Sequence, residues 1–156
     1  MHYPLFIDLA GKEVLVAGGG KIATRRALVL HENGARVTVV SKGFSKELKA
    51  NKDIRLIKKD LRNEGFDLSP YFLVVTATDD SKVNEGLGVR AKKNKILINR
   101  ADKCEAGDVI IPATADVRGH PIAFTTLGKD PKLAKEIKTL IENAIPKNAD
   151  EKAPEQ

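Results

Sequence analysis

The chain has 156 residues, 42% hydrophobic and 31% charged, which suits one domain with a buried core, or one domain plus a small appendage. It lacks the run of roughly 18 apolar residues that a membrane-spanning helix needs, and Met1–Asp8 lacks the basic start and long apolar stretch of a signal peptide, so the cytoplasm is the expected compartment. Cys104 is the only cysteine, which excludes an intramolecular disulfide and a cysteine-rich zinc site; 4% aromatics, not interleaved with the basic residues behind the net charge of +6, argue against a nucleic-acid stacking platform.

Tyr3–Leu9 is an apolar, extended run leading through Gly11 into the stretch around which the chain is organised. Val14–Ala17 reads as a buried strand, meets Gly18, Gly19 and Gly20, and gives way at once to a helical pattern. Gly18-x-Gly20-x-x-Ala23 fits the dinucleotide fingerprint in its G-x-G-x-x-A form. Gly18 permits the tight turn, Gly20 lets backbone approach a pyrophosphate, and Ala23 lets the helix pack closely on the strand. The helix start, Lys21 and Ile22, offers free N–H groups and a positive dipole end to phosphates. Ile22, Ala23, Ala27 and Leu30 read as its apolar face, His31 complements the dipole in its last turn, and Gly34 is the expected C-cap.

Arg36–Val40 reads as the second strand and completes a β-α-β unit. After it, where a NAD-type fingerprint usually carries Asp or Glu for the ribose hydroxyls, stand Ser41, Lys42 and Gly43. Ser41 can hydrogen-bond a ribose and Lys42 can meet a 2′-phosphate, so the pattern leaves NAD and NADP both open. Ser45–Ala50 reads as a short helix and Ile54–Ile57 as a short strand, before a polar stretch to Ser69. Tyr71–Ala77 is β-branched, aromatic and uninterrupted, the pattern of a buried strand. Thr78 and Asp79 follow at its carboxyl end, where ligands bind in open α/β sheets; they read equally as helix-capping residues or as cofactor contacts. Asp80 or Ser81 caps the next helix, which places Val83, Leu87 and Ala91 on one face.

Lys95–Asn99 is another buried strand, followed by the loop Arg100–Gly107, with Asp102 just beyond the strand end. Asp108–Ile111 is extended up to Pro112, and Ile122–Thr126 reads as one more strand after Gly119-His120-Pro121. Asp130 and Pro131 open an amphipathic helix with Leu133, Ile137, Leu140 and Ile141 apolar, which Pro146 stops. The order predicts an α/β fold, a Rossmann-like, doubly wound, mostly parallel sheet. Residues 1–113 form the nucleotide-binding domain, 114–146 an extended strand plus helix that cannot bury itself alone, and 147–156 a polar tail expected to be disordered. The only tyrosines, Tyr3 and Tyr71, form no Tyr-x-x-x-Lys pair, and His2, His31 and His120 are scattered. Carboxylates at the carboxyl edge, Asp79, Asp80 and Asp102, are therefore left as candidates for proton chemistry.

The chain resembles the precorrin-2 dehydrogenase family, the NAD-dependent module of siroheme synthases. The resemblance runs through Pro4–Leu9, Val16-Ala-Gly-Gly-Gly-Lys-Ile-Ala23, Arg25, Asn33–Val40, Ala77–Asp80, Ile98-Asn99 with Asp102, Asp108–Ala113 and Pro131-x-Leu-Ala134. It implies a homodimeric cytoplasmic oxidoreductase, with contacts exchanged beyond Ala113, that oxidises precorrin-2 to sirohydrochlorin with NAD in siroheme biosynthesis. It implies no metal centre, though two-function relatives also insert metal and others hand over to a separate chelatase; a dinucleotide-sensing module is the non-enzymatic alternative. Asp102 falls on the family's catalytic aspartate. The cofactor contacts implied are Gly18, Gly19, Gly20, Lys21, Ile22, Ser41, Lys42, Gly43, Thr78 and Asp79. For a tetrapyrrole rich in carboxylates, Arg100, Arg118, His120 and Lys129 are the expected anchors. Two departures are visible: Arg100-Ala101 replaces a pair of small apolar residues, and a single helix stands where longer members carry a helical domain.

Overall fold

The computed structural model describes residues 3–62 and 65–144; the expected helix stop at Pro146 and the expected disordered tail lie outside them. The chain divides into two compact units, Met1–Val109 and Ile110–Gln156.

In the first unit, β1 (Glu13–Ala17), β2 (Arg36–Ser41), β3 (Arg55–Lys58), β4 (Leu73–Thr76) and β5 (Leu97–Arg100) form one parallel sheet in the order β3-β2-β1-β4-β5. Helices α1 (Lys21–Glu32), α2 (Lys46–Ala50) and α3 (Ser81–Lys93) make the crossovers. The strands are short Val/Ile/Leu runs because a parallel sheet is covered on both faces. Val14, Leu15, Val16, Ala17, Val74 and Val75 have no exposed surface at all. The helix faces follow the expected 3.6-residue spacing, with Ala23, Ala27 and Leu30 buried under α1 and Leu87 and Ala91 under α3. Ile22 departs from it: it is 51% exposed, while its neighbours Ala23 and Thr24 in the same turn are buried. Asp80, not Ser81, caps α3, its carboxylate accepting from the N–H groups of Lys82 (3.0 Å) and Val83 (3.3 Å).

Both long helices of the first unit stop the same way. Gly34 takes φ +85° one residue past the Asn33 C-cap, with Gly34 N–H on His31 O (2.9 Å) and Ala35 N–H on Leu30 O (3.1 Å). After α3 the same two bonds run from Lys95 to Lys92 O (3.0 Å) and from Ile96 to Ala91 O (2.9 Å), but the left-handed residue is Lys95, at φ +56°.

In the second unit, β6 (Ala113–Val117) and β7 (His120–Phe124) form an antiparallel hairpin, followed by α4 (Pro131–Ala144), which packs on β6. The sequence pattern missed β6 and set the other strand two residues late. The reason is the turn: Arg118 and Gly119 both take positive φ (+54° and +79°), closing a two-residue hairpin that only Gly119 announces. Asp116 steadies it by accepting from Gly119 N–H at 3.1 Å. Asp130 accepts from Leu133 N–H at 2.8 Å, the N-cap that the sequence predicts for α4.

Lys95→Gly removes the steric penalty of a left-handed lysine at an exposed helix end. It should stabilise the chain by about 1 kcal/mol, read as a higher urea midpoint with an unchanged m-value.

Candidate functional site

β1 sits at the point where the strand order reverses, with β2 and β3 on one side and β4 and β5 on the other. The loops leaving β1 and β4 therefore turn to opposite faces and leave a crevice at the carboxyl edge. The glycine turn fits that crevice without slack. Gly18 takes φ +123°, and a Cβ on it would stand 2.4 Å from Ala77 O; on Gly19 it would stand 1.8 Å from Gly43 O. A Cβ on Gly20 would meet nothing within 4 Å, because Gly20 faces open space. Gly20 is also the N-cap of α1, with no side-chain cap and no acidic residue in the first turn. The first amides of α1 are thus left pointing outward, the arrangement that accepts an anionic pyrophosphate.

A cleft of about 1220 Å³ opens over this turn, large enough for an extended dinucleotide. The structure brings together in its walls all ten residues expected at a cofactor: Gly18, Gly19, Gly20, Lys21, Ile22, Ser41, Lys42, Gly43, Thr78 and Asp79. The exposed side chain of Ile22 is an apolar wall of it. Ser41 accepts from Gly43 N–H at 3.4 Å, and Lys42 Nζ lies 3.2 Å from Asp60 Oδ2. Asp60 and Arg62, unremarked in the sequence, line the same cleft from the segment after β3.

Thr78 neither caps α3 nor stands free. Its N–H (3.2 Å) and hydroxyl (2.7 Å) meet Asn84 Oδ1, and its carbonyl accepts from Asn84 Nδ2 at 3.0 Å. Asn84 is fully buried and fixes the loop after β4. The sequence held a signal for it: an asparagine on the helix face that carries Leu87 and Ala91 is polar where the stripe demands apolar, and a buried amide must find partners. Asp79 is exposed.

Asp102 follows the carboxyl end of β5, next to β4 in the sheet. Its two carboxylate oxygens accept from Arg100 Nε (2.8 Å) and Nη2 (2.7 Å), a bidentate pair. Arg100, expected to be free for an anionic substrate, is buried instead, its side chain 8% exposed against 26% for that of Asp102. Hydrogen bonding to Arg100 first, then the Asp102 backbone amide, the Arg100 charge and the Asn84 amide, hold the carboxyl below its usual range against a smaller opposing effect of burial. The same pairing holds the guanidinium above its ordinary value. Arg118 and His120 lie in the second unit's hairpin and Lys129 in the turn before α4, all exposed. Among the described residues, no three His, Cys, Asp or Glu converge as metal ligands, and no helix is long and apolar enough to cross a membrane.

A family model described as NAD(P)-binding matches residues 5–113. A precorrin-2 dehydrogenase of Priestia megaterium is 37% identical over 139 residues, covering 87% of this chain and 67% of that protein. A siroheme synthase of Saccharophagus degradans is 34% identical over 93% of this chain, but the match spans only 32% of the synthase. The chain spans about a third of the siroheme synthases it matches. A solved structure titled SirC, precorrin-2 dehydrogenase, superposes with a TM-score of 0.79 at 34% identity, covering 94% of this chain and 72% of that one.

The Arg100–Asp102 pair makes stability depend on pH in one direction. A carboxyl whose folded pKa is depressed contributes stability above its unfolded value, near 4, and loses it as pH falls through the folded value. Asp102→Asn should cost roughly 1–3 kcal/mol at pH 7 by weakening the partner of a buried guanidinium. It should also flatten the fall in stability below about pH 4, measured by urea melts across pH.

Proposed function

The chain belongs to the NAD(P)-binding family of precorrin-2 dehydrogenases and siroheme synthase N-terminal modules, and from that premise we propose that it oxidises precorrin-2 to sirohydrochlorin with NAD, in the cytoplasm, as a step of siroheme biosynthesis. The observation that carries this reading is a carboxylate, Asp102, held by Arg100 at the carboxyl edge one strand away from the cleft over the glycine turn.

Forming one new double bond removes two hydrogens, one with its electron pair and one as a proton. When bound, the nicotinamide supplies the acceptor for the hydride. The residues of the chain do the rest. The α1 amides over Gly20 take the pyrophosphate, and the absence of a side chain at Gly20 lets it approach. Asn84 holds the Thr78 loop as a fixed wall. Asp102 receives the proton, its carboxylate side chain 26% exposed beside the buried guanidinium. Arg100 is its positioning residue, not an anchor for substrate. It fixes the orientation of the carboxylate through two parallel hydrogen bonds. Arg118, His120 and Lys129 are proposed for the substrate's carboxylates, as charged and hydrogen-bonding groups on the exposed second unit.

We also propose a homodimer built through residues 114–146. In α4 none of the described residues is buried, while Leu133 is 44% and Leu140 68% exposed on its apolar side. An amphipathic face of that kind gains only by covering.

The test is an anaerobic assay of precorrin-2 with NAD, following NADH and the sirohydrochlorin spectrum together; both should rise in step, and no turnover with bound NAD would sink the reading. Asp102→Asn should lower kcat by at least 10²-fold with NAD affinity nearly unchanged; a full rate would remove its role. Leu140→Asp should halve the mass measured by light scattering, and a monomeric parent protein would refute the dimer.

A further inference from the structure

The rim of the cleft next to Ser41 holds an arrangement that the β2 pattern alone misreports. Dinucleotide folds tell NAD from NADP at the end of β2, where an acid takes the ribose 2′-hydroxyl and a base takes the 2′-phosphate. Here β2 ends in Ser41 and Lys42, with no acid. The neighbouring strand supplies one. Ser41 pairs with Lys58 across the parallel ladder, and Ser41 O accepts from Lys59 N–H at 3.0 Å, which carries the chain leaving β3 alongside the end of β2. The next residue, Asp60, enters the cleft wall.

Three bonds aim its carboxylate. Oδ2 accepts from Arg62 Nη2 at 2.6 Å and from Lys42 Nζ at 3.2 Å, while Oδ1 accepts from the Arg62 amide at 3.0 Å. Arg62 Nε adds contacts of 3.1 Å to both oxygens. Lys59 also lines the cleft, with its ammonium 5.6 Å from the centre of the Phe66 ring. Lys42 and Arg62, two of the cations in the cleft wall, are thus paired with one carboxylate, which is 29% exposed toward solvent. Both cations hold it well below the usual carboxylate range, so it stays charged throughout the physiological range.

We propose that Asp60, delivered from β3, is the cofactor-selecting residue: it accepts from the adenosine-ribose hydroxyls and repels a 2′-phosphate, so the cleft takes NAD and rejects NADP. Lys42 and Arg62 are its positioning residues. Its carboxylate stands in for the acid absent after β2, and Ser41 Oγ is the second polar group at the same edge. The inference rests on the dinucleotide reading of the cleft, and it deepens that reading by naming what discriminates within it.

The experiment is calorimetric binding of NAD and NADP to the full chain, to Asp60→Asn and, as a second variant of the same surface group, to Asp60→Ser, with circular dichroism as the folding control. The parent protein should bind NAD at least tenfold more tightly than NADP. Both variants should keep the fold, weaken NAD several-fold and strengthen NADP at least tenfold, since Lys42 and Arg62 are released to the phosphate. An unchanged NAD-to-NADP ratio in both variants, or a parent protein that prefers NADP, overturns the role of Asp60 while leaving the cleft a dinucleotide site. A parent protein that binds neither overturns the dinucleotide reading itself, and this inference with it.

Discussion

The site depends on a contact that leaves no room for a side chain: the backbone of Gly18 and Gly19 against the carbonyls of Ala77 and Gly43. A methyl group at either glycine would fall within 2.4 Å of an oxygen, well inside van der Waals contact. Because the turn after β1 is held between the exits of β4 and β2, three loops from three strands close on one point. Gly18 N–H bonds Val40 O at 2.9 Å and Ala77 N–H bonds Ala17 O at 2.8 Å, so the ladder continues past the strand ends and stiffens the turn. The uncapped α1 amides are a consequence: a capping side chain at Gly20 would occupy the space into which they point.

Charge around the carboxyl edge follows one pattern. Each carboxylate that matters is held by an arginine two residues away in sequence. Asp102 is held by Arg100 and Asp60 by Arg62. In both pairs the guanidinium keeps the acid charged and limits its rotation, which a bidentate or multiply hydrogen-bonded geometry does better than a lysine can. The burial differs, and with it the consequence. Arg100 is nearly out of water, so loss of Asp102 costs the fold; Arg62 is open to solvent, so loss of Asp60 costs selectivity and little else.

Asn84 ties the two regions together. It contacts Thr78, which lines the cleft, through three hydrogen bonds, and it contributes to the low proton affinity of Asp102. A buried amide with every polar atom engaged has one arrangement available to it, and such groups specify geometry more than they add stability.

Much of the first unit was legible in order along the chain. The glycine turn, the Val/Ile/Leu strands and the α1 and α3 faces carry their structure locally, in periods of 2 and 3.6 residues and in backbone freedom. That ten named residues would lie together was legible for the same reason, since they cluster at strand ends that local pattern locates, and they line one cleft. The β6–β7 hairpin was not, because its turn uses a left-handed arginine that composition does not flag. Nor were the side-chain partnerships. Arg100 reads as a surface anchor until the structure buries it on Asp102, and Ser41-Lys42 reads as open to a 2′-phosphate until Asp60 arrives from the adjacent strand. The sequence by itself determined the order of strands and helices in the first unit and the position of its glycine turn, because those rest on patterns within a few residues. Only the tertiary structure decided which charges meet: the parallel sheet brings Asp60 to Lys42 from the neighbouring strand, and burial at the end of β5 turns Arg100 onto Asp102 instead of toward solvent.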